Sequence, residues 1–188
     1  MLAITTSAAG SSWSAERSHL VADALHNARS SGQDSCQTLH LRVFGESMLP
    51  TLWPGDLVEI SPCSPHQVSP GEIVLALRDG RLFLHRLVAA CEADGFLLCG
   101  DSVPRADLRF PVQALLGRLV DRVDSRPGSS PFRFALRPGL AAKLSRALGL
   151  LLCHFGPARR LALRLHSRRR ASSPESYTFE TRAESEAL

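Results

Sequence analysis

Short apolar segments, separated by glycine, proline and charged residues, dominate the middle of the chain. Six of them lie between Leu39 and Val120: LHLRVF, DLVEI, EIVLALR, RLFLHRLVAA, GFLLCG and ALLGRLV. Runs of this length bounded by turn residues are typical of strands. The sequence Arg78-Asp79-Gly80-Arg81 between two runs is a hairpin signal. Because strands and helices do not alternate here, we predict a mainly β fold, a compact and mostly antiparallel β domain.

Helical patterns flank this domain at both ends. Before it, Ser14 can cap a helix that ends near Ser31 and Gly32. Its apolar residues recur at helical spacing and are Leu20, Val21, Ala24, Leu25 and Ala28. We therefore predict an N-terminal segment with one helix over residues 1–36 and a β domain over 37–124.

The C-terminal third is basic and helical. A first helix carries an apolar stripe of Leu140, Leu144, Ala147, Leu148, Leu151 and Leu152, and a second opens at Pro157. We predict a linker and basic amphipathic helices over residues 125–170 and a disordered tail over 171–188. These helices fit either a membrane-surface anchor or ordinary packing on the β domain, and the pattern leaves both open.

Positive charge is concentrated in the same region. Residues 133–170 contain ten Arg or Lys and no acidic residue, although the whole chain has a net charge of only +4. Such a segment favours an anionic partner, and its leucines favour an anionic membrane surface over nucleic acid. The longest strongly apolar run, Leu148 to Phe155, is shorter than the roughly 18 to 20 residues that span a bilayer. We expect a cytoplasmic protein, peripheral to the membrane, without signal peptide or transmembrane helix.

Residue usage also limits the chemistry. The five cysteines have no CxxC spacing, so neither a disulfide framework nor a zinc site is indicated, and we expect no metal or cofactor. Lys143 is the single lysine, and arginine does not act as a base in proteins. A general base must therefore be a histidine, a carboxylate or Lys143.

The segment from Phe44 to Asp56, FGESMLPTLWPGD, resembles the nucleophile segment of the superfamily that contains type I signal peptidases and LexA-like self-cleaving repressors. The resemblance continues in order. Phe83 to Val88 (FLHRLV) is similar to the strand that carries the base, Leu97 to Asp107 contains the Gly-Asp box, and Leu116 to Val120 is similar to the closing strand. This superfamily implies a β fold and serine peptidase activity.

The resemblance also implies roles for single residues. Ser47 would be the nucleophile and His85 the general base, as in the histidine-base signal peptidases of the endoplasmic-reticulum and archaeal type, with Asp107 orienting His85. Asp101, Gly45 and Met48 would support the site or shape its turns. Gly45 replaces a serine that helps hold the oxyanion in many signal peptidases, so the backbone N–H of Ser47 is expected to serve there.

Three functions are consistent with these residues. The first is a signal-peptidase-type endopeptidase that cleaves a peptide or protein precursor after small residues. The second is a LexA-like regulator that cleaves itself, for which Ala8-Ala9-Gly10 offers a bond, although one N-terminal helix is too few for a helix-turn-helix. The third is an inactive peptide-binding module of the same fold.

Overall fold

A computed structural model describes residues 11–30, 38–92, 95–123 and 139–171. These residues form three α-helices, a six-stranded sheet and two short 3-10 turns. The elements are α1 (Ser11–Ser30), β1 (Leu39–Arg42), β2 (Leu57–Pro62), β3 (Ile73–Arg78), β4 (Arg81–Glu92), β5 (Gly95–Cys99), β6 (Leu115–Val123), α2 (Leu140–His154) and α3 (Gly156–Ala171). The predicted class, a β domain with appended helices, is confirmed. The predicted linker and nearly all of the predicted tail lie outside the described residues.

All strand pairs of the sheet are antiparallel, in the order β1-β2-β6-β3-β4-β5. Each of the six apolar segments supplies one strand. The hairpin between β3 and β4 is the predicted one: Arg78 pairs with Arg81. Its central residues, Asp79 and Gly80, have positive φ values of 49° and 68°, as a two-residue type I′ turn requires.

Side chains of β4 alternate between two hydrophobic clusters. Leu82 and Leu84 belong to the cluster that α1 covers. Phe83 and Leu87 belong to a second cluster, with two stacked phenylalanines from β5 and the following loop. Successive residues of a strand point to opposite faces, so His85 shares the second face and Arg86 the first. His85 and Arg86 are adjacent on β4, and their side chains therefore reach different partners on the two faces of the sheet.

The buried face of α1 agrees with the predicted one only in part: Leu25 is buried and Val21 packs against the core cluster. Ser18, Ala22 and Leu25 are buried, whereas Leu20 is 68% exposed and Ala24 is also exposed. The helix also begins at Ser11, before the predicted cap. The apolar spacing predicts the helix, but Leu20 and Ala24 of the predicted face are exposed and Ser18 and Ala22 are buried instead.

The chain divides into two compact units, one ending at His154 and the other beginning at Phe155. Helix α2 belongs to the first unit with the sheet, and α3 belongs to the second and is described by itself. Among the α2 residues whose side chains are described, Ala142, Ser145 and Gly149 are buried, while Leu140, Leu144, Leu148 and Leu151 of the predicted stripe are exposed. Helix α2 therefore packs through small residues.

Candidate active site

Ser47 lies in the loop of residues 43–56 between β1 and β2. Two backbone hydrogen bonds close the base of this loop: Val43 N–H donates to Asp56 O at 2.8 Å and Gly55 N–H donates to Val43 O at 2.6 Å. Gly45 and Gly55 have φ values of 92° and 91°, in the left-handed region that favours glycine. We call this segment the nucleophile loop. Its conformation is held by its own backbone and by glycines.

A second loop packs directly against Ser47. The N–H of Ser102 donates to Ser47 O at 2.8 Å, and the Ser102 hydroxyl donates to Glu46 O at 2.7 Å. A Cβ on Gly100 would lie 2.6 Å from Ser47 O and 3.0 Å from Ser47 Cβ. Only glycine permits this approach, which gives the glycine of the Gly-Asp box a physical role.

The structure brings the three predicted catalytic side chains together. The hydroxyl oxygen of Ser47 lies 2.8 Å from His85 Nε2, and His85 Nδ1 lies 2.5 Å from Asp107 Oδ2. His85 is fully buried and Ser47 is 4% exposed. Asp107 follows β5, and its N–H donates to Leu98 O at 2.8 Å, which fixes the loop that presents its carboxylate. Residues that are 38 and 22 positions apart thus form one line of hydrogen bonds.

This line has the directionality that general-base catalysis needs. A carboxylate only accepts hydrogen bonds, so the proton between His85 and Asp107 belongs to Nδ1. The lone pair of neutral His85 then lies on Nε2, facing the Ser47 hydroxyl. The Phe83 ring contacts the imidazole edge-on, with ring centroids 6.0 Å apart, and limits its rotation. The arrangement can deprotonate Ser47 and stabilise the imidazolium that results.

The other predicted residues have structural positions. The Met48 side chain is fully buried in the cluster beneath α1, which anchors the nucleophile loop next to Ser47. Gly45 supplies the backbone conformation already described. Asp101 does more than close a turn, because its carboxylate is fully buried and paired with Arg86.

Arg86 and Asp101 form a bidentate ion pair. Arg86 Nε and Nη2 donate to the two carboxylate oxygens at 2.9 and 2.8 Å, and Nη1 donates to Gly71 O at 2.7 Å. The Thr51 hydroxyl donates to the same carboxylate at 2.5 Å and lies 2.6 Å from the Ser145 hydroxyl of α2. Neither hydroxyl was among the predicted site residues. We call Arg86, Asp101, Thr51 and Ser145 the buried network.

Cys99 is the other nucleophilic side chain near these loops. Burial raises the pKa of its thiol, and the positive charge of Arg146, whose Nη2 lies 3.2 Å from the sulfur, only partly opposes this effect. A thiol with a raised pKa stays protonated near neutral pH and is a poor nucleophile. Ser47 is therefore the better candidate nucleophile.

Comparison with known families agrees with this geometry. A family model described as Peptidase S24-like matches residues 3–111, more than half of the 188-residue chain. The chain belongs to the Peptidase S24-like family. The match supports the predicted superfamily of LexA-like and signal peptidase serine peptidases, and it includes Ser47, His85 and Asp107. It ends before β6 and α2, so α2 lies outside the matched span. No curated protein sequence matches the chain.

Proposed function

We propose that this member of the Peptidase S24-like family is an active serine endopeptidase. Ser47 attacks the carbonyl carbon of a peptide bond, His85 takes the hydroxyl proton and returns it to the leaving amine, and Asp107 orients His85. Water then hydrolyses the acyl-enzyme. The observation that carries this proposal is the continuous line from the Ser47 hydroxyl through both ring nitrogens of His85 to Asp107.

For the substrate we propose a peptide or protein precursor that is bound extended and cut after a small residue. The preference for small residues rests on the resemblance to signal peptidases. The outer strands of the sheet are β1 and β5. The outer edge of β5 is already paired with the segment that follows it: Phe96 and Phe110 exchange two backbone hydrogen bonds, and Asp107 N–H donates to Leu98 O. The outer edge of β1 pairs with no other described strand. Because β1 leads into the nucleophile loop, a peptide added beside β1 would end near Ser47.

Covalent labelling with a fluorophosphonate tests the chemistry without knowledge of the substrate. Ser47 Oγ attacks phosphorus and expels fluoride, while His85 accepts the hydroxyl proton. Intact mass and peptide mapping should show one label on Ser47 and none in Ser47→Ala. The matched control is Ser167→Ala, whose exposed hydroxyl donates to Arg164 O in its own helix. Wild-type protein that stays unlabelled would contradict the proposal.

The same preparation separates the alternative functions. A LexA-like regulator would cut itself during incubation of the pure protein, giving two fragments by intact mass. The Ala-Gly bond of Ala8-Ala9-Gly10 lies outside the described residues. An inactive module would bind peptides and give neither labelling nor cleavage. An endopeptidase acting on other chains gives labelling and cleavage of added peptides with Ala or Gly before the cut, while its own mass stays constant.

We also propose that α2 contacts an anionic membrane surface. Its leucines at positions 140, 144, 148 and 151 are 74%, 63%, 38% and 54% exposed, and they lie opposite the small residues that pack on the domain. Packing of α2 therefore leaves its apolar stripe uncovered by the described residues. Across those residues, no helix is long and apolar enough to cross a bilayer, so the proposed contact is interfacial.

Charge favours lipid over a second copy of the chain. Residues 133–170 carry ten positive and no negative side chains, so two such segments repel each other. An anionic leaflet attracts them, by about 1 kcal/mol for each cation near the surface. Helix α3, taken by itself, has the same combination: Leu161 and Leu165 are exposed beside Arg160 and Arg164.

Vesicle flotation tests the membrane contact with full-length protein. We expect wild-type protein to float with phosphatidylglycerol-rich vesicles at low salt, and not with phosphatidylcholine vesicles. Leu144→Ser with Leu151→Ser should weaken binding about tenfold or more, because each removes a leucine from the inserted face. The control pair, Leu20→Ser with Leu108→Ser, changes leucines that are 68% and 73% exposed elsewhere. Equal flotation of both pairs would contradict the assignment to α2.

A further inference from the structure

Helix α2 touches the backbone of both loops that form the site. A Cβ on Gly149 would lie 2.4 Å from Leu49 O in the nucleophile loop and 2.8 Å from Asp101 O. One turn earlier, Ser145 is 3% exposed, and two turns earlier Ala142 is 4% exposed. The close approach depends on these small residues. Helix α2 therefore packs directly against the two loops that form the candidate site.

The hydrogen atoms of the buried network can be assigned by counting donors. Asp101 accepts from Arg86 through both carboxylate oxygens. Thr51 has a single hydroxyl hydrogen, which it donates to Asp101. The remaining contact, 2.6 Å between the hydroxyls of Thr51 and Ser145, then requires Ser145 as the donor. Ser145 therefore begins a chain of hydrogen bonds in which it donates to Thr51 and Thr51 donates to Asp101.

This chain joins the segments that carry Ser47 and His85. Thr51 lies in the nucleophile loop, four positions after Ser47, and Arg86 follows His85 on β4. Asp101 bonds both of them, and the next residue, Ser102, donates its N–H to Ser47 O. A shift of Thr51 is thus transmitted to the loop that sets the distance from the Ser47 hydroxyl to His85.

We propose that Ser145 is a positioning residue for Ser47 and that α2 completes the active site. The proposal rests on the proposed peptidase function and adds a requirement that lies beyond the span matched by the family model. Ser145 does not touch the reacting atoms. It holds Thr51, and through Thr51 the nucleophile loop, at the distance from β4 that the Ser47 to His85 hydrogen bond needs.

The first test is the rate at which a fluorophosphonate labels Ser47 in Ser145→Ala. The measurement is made well below the unfolding temperature of each variant, so that a loss of stability alone does not change the rate. We expect labelling about five- to tenfold slower than in wild type, the loss typical of one hydrogen bond. The plateau of the pH-rate profile should fall while its midpoint stays constant, because the contact between His85 and Asp107 is intact. Ser167→Ala should label at the wild-type rate.

The second test displaces the helix itself. In Gly149→Ala the new methyl meets two backbone carbonyls, so α2 must move, and we expect labelling about a hundredfold slower. The matched control is Gly156→Ala, where a Cβ would meet nothing within 4 Å. Its labelling rate should equal that of wild type.

The outcomes separate this proposal from the proposed function. Slower labelling of folded Ser145→Ala and Gly149→Ala, with both controls unchanged, supports the positioning role. Wild-type rates in both variants would overturn the positioning role and leave the peptidase function standing. A wild-type protein whose Ser47 is never labelled would overturn both. A rate loss fully accounted for by unfolded protein would overturn the positioning role.

Discussion

His85 and Arg86 are neighbours on β4, and each is paired with its own aspartate. His85 Nδ1 meets Asp107 at 2.5 Å, and Arg86 meets Asp101 through two contacts of 2.9 and 2.8 Å. The Asp107 side chain is 18% exposed, whereas that of Asp101 is fully buried. Both side chains have a carboxylate partner, but their remaining contacts differ. His85 faces the Ser47 hydroxyl, whereas Arg86 donates to the backbone carbonyl of Gly71.

The difference lies in which side chain can change its charge. The imidazole of His85 can accept and return a proton and faces the Ser47 hydroxyl, whereas a guanidinium does not act as a base in proteins. The pair of Arg86 with Asp101 makes further hydrogen bonds: Arg86 donates to Gly71 O, and Asp101 accepts from the Thr51 hydroxyl. We infer that the first pair serves chemistry and the second holds the loops. Substitutions in the first should act mainly on the rate. Substitutions in the second should act mainly on stability and, through the nucleophile loop, should lower the rate by a smaller factor.

The largest expected effect is that of His85→Ala. Without the base, the Ser47 hydroxyl keeps its proton, and peptide cleavage should fall by about 10⁴-fold or more. Near-UV circular dichroism should still show a folded protein. His85→Lys is the informative second variant, because a neutral lysine amine can also accept the hydroxyl proton and some activity should return. A His85→Ala variant that cleaved at the wild-type rate would show that another base acts.

Asp107→Asn is expected to cause the second-largest loss of activity. The amide can donate to the ring, which disturbs the tautomer and no longer stabilises the imidazolium, so kcat should fall by about 10³- to 10⁴-fold. The thermal unfolding midpoint should change little, since the side chain is partly exposed. A large loss of stability with unchanged kcat would place Asp107 on the structural side of the comparison.

Different parts of this molecule were predictable for different reasons. All six strands and the Asp79-Gly80 turn were visible because short apolar runs and turn residues are local signals. Ser47, His85 and Asp107 came from the resemblance, which preserves their order. The contacts of Thr51 with Ser145 were not predictable, because they join residues 94 positions apart that have no shared local signal.

The orientation of α2 could not be inferred from its most apolar stripe. Leucine spacing predicts an apolar face but does not tell whether that face packs inward. The sequence did contain a signal for the inner face: Ala142, Ser145 and Gly149 recur at intervals of three and four residues. Small residues at that spacing permit close backbone approach, and Gly149 lies directly against Leu49 O and Asp101 O.

Arg86→Gln tests the second pair. Glutamine cannot neutralise Asp101, so a buried carboxylate would lose its partner, and the free energy of unfolding should fall by about 3 to 5 kcal/mol. Urea unfolding monitored by tryptophan fluorescence measures this. Arg118→Gln is the matched control, since that arginine is exposed and its ion pair with Glu72 is long, at 4.0 Å. Similar losses in the two variants would remove the distinction between buried and surface pairs.

Thr51→Val should give the smallest change in the free energy of unfolding. It tests the hydrogen bonds of one hydroxyl in the buried network. Valine matches threonine in shape but cannot donate to Asp101 or accept from Ser145, so two buried polar groups lose one partner each. The free energy of unfolding should fall by about 1 to 3 kcal/mol, less than for Arg86→Gln because Asp101 keeps its ionic partner. Combined with Ser145→Ala, the loss should be smaller than the sum of the two single losses, since the removed hydroxyls were each other's partners. Strict additivity in urea unfolding would mean that the hydroxyls act independently, and the contact between α2 and the nucleophile loop would then rest on packing at Gly149 alone.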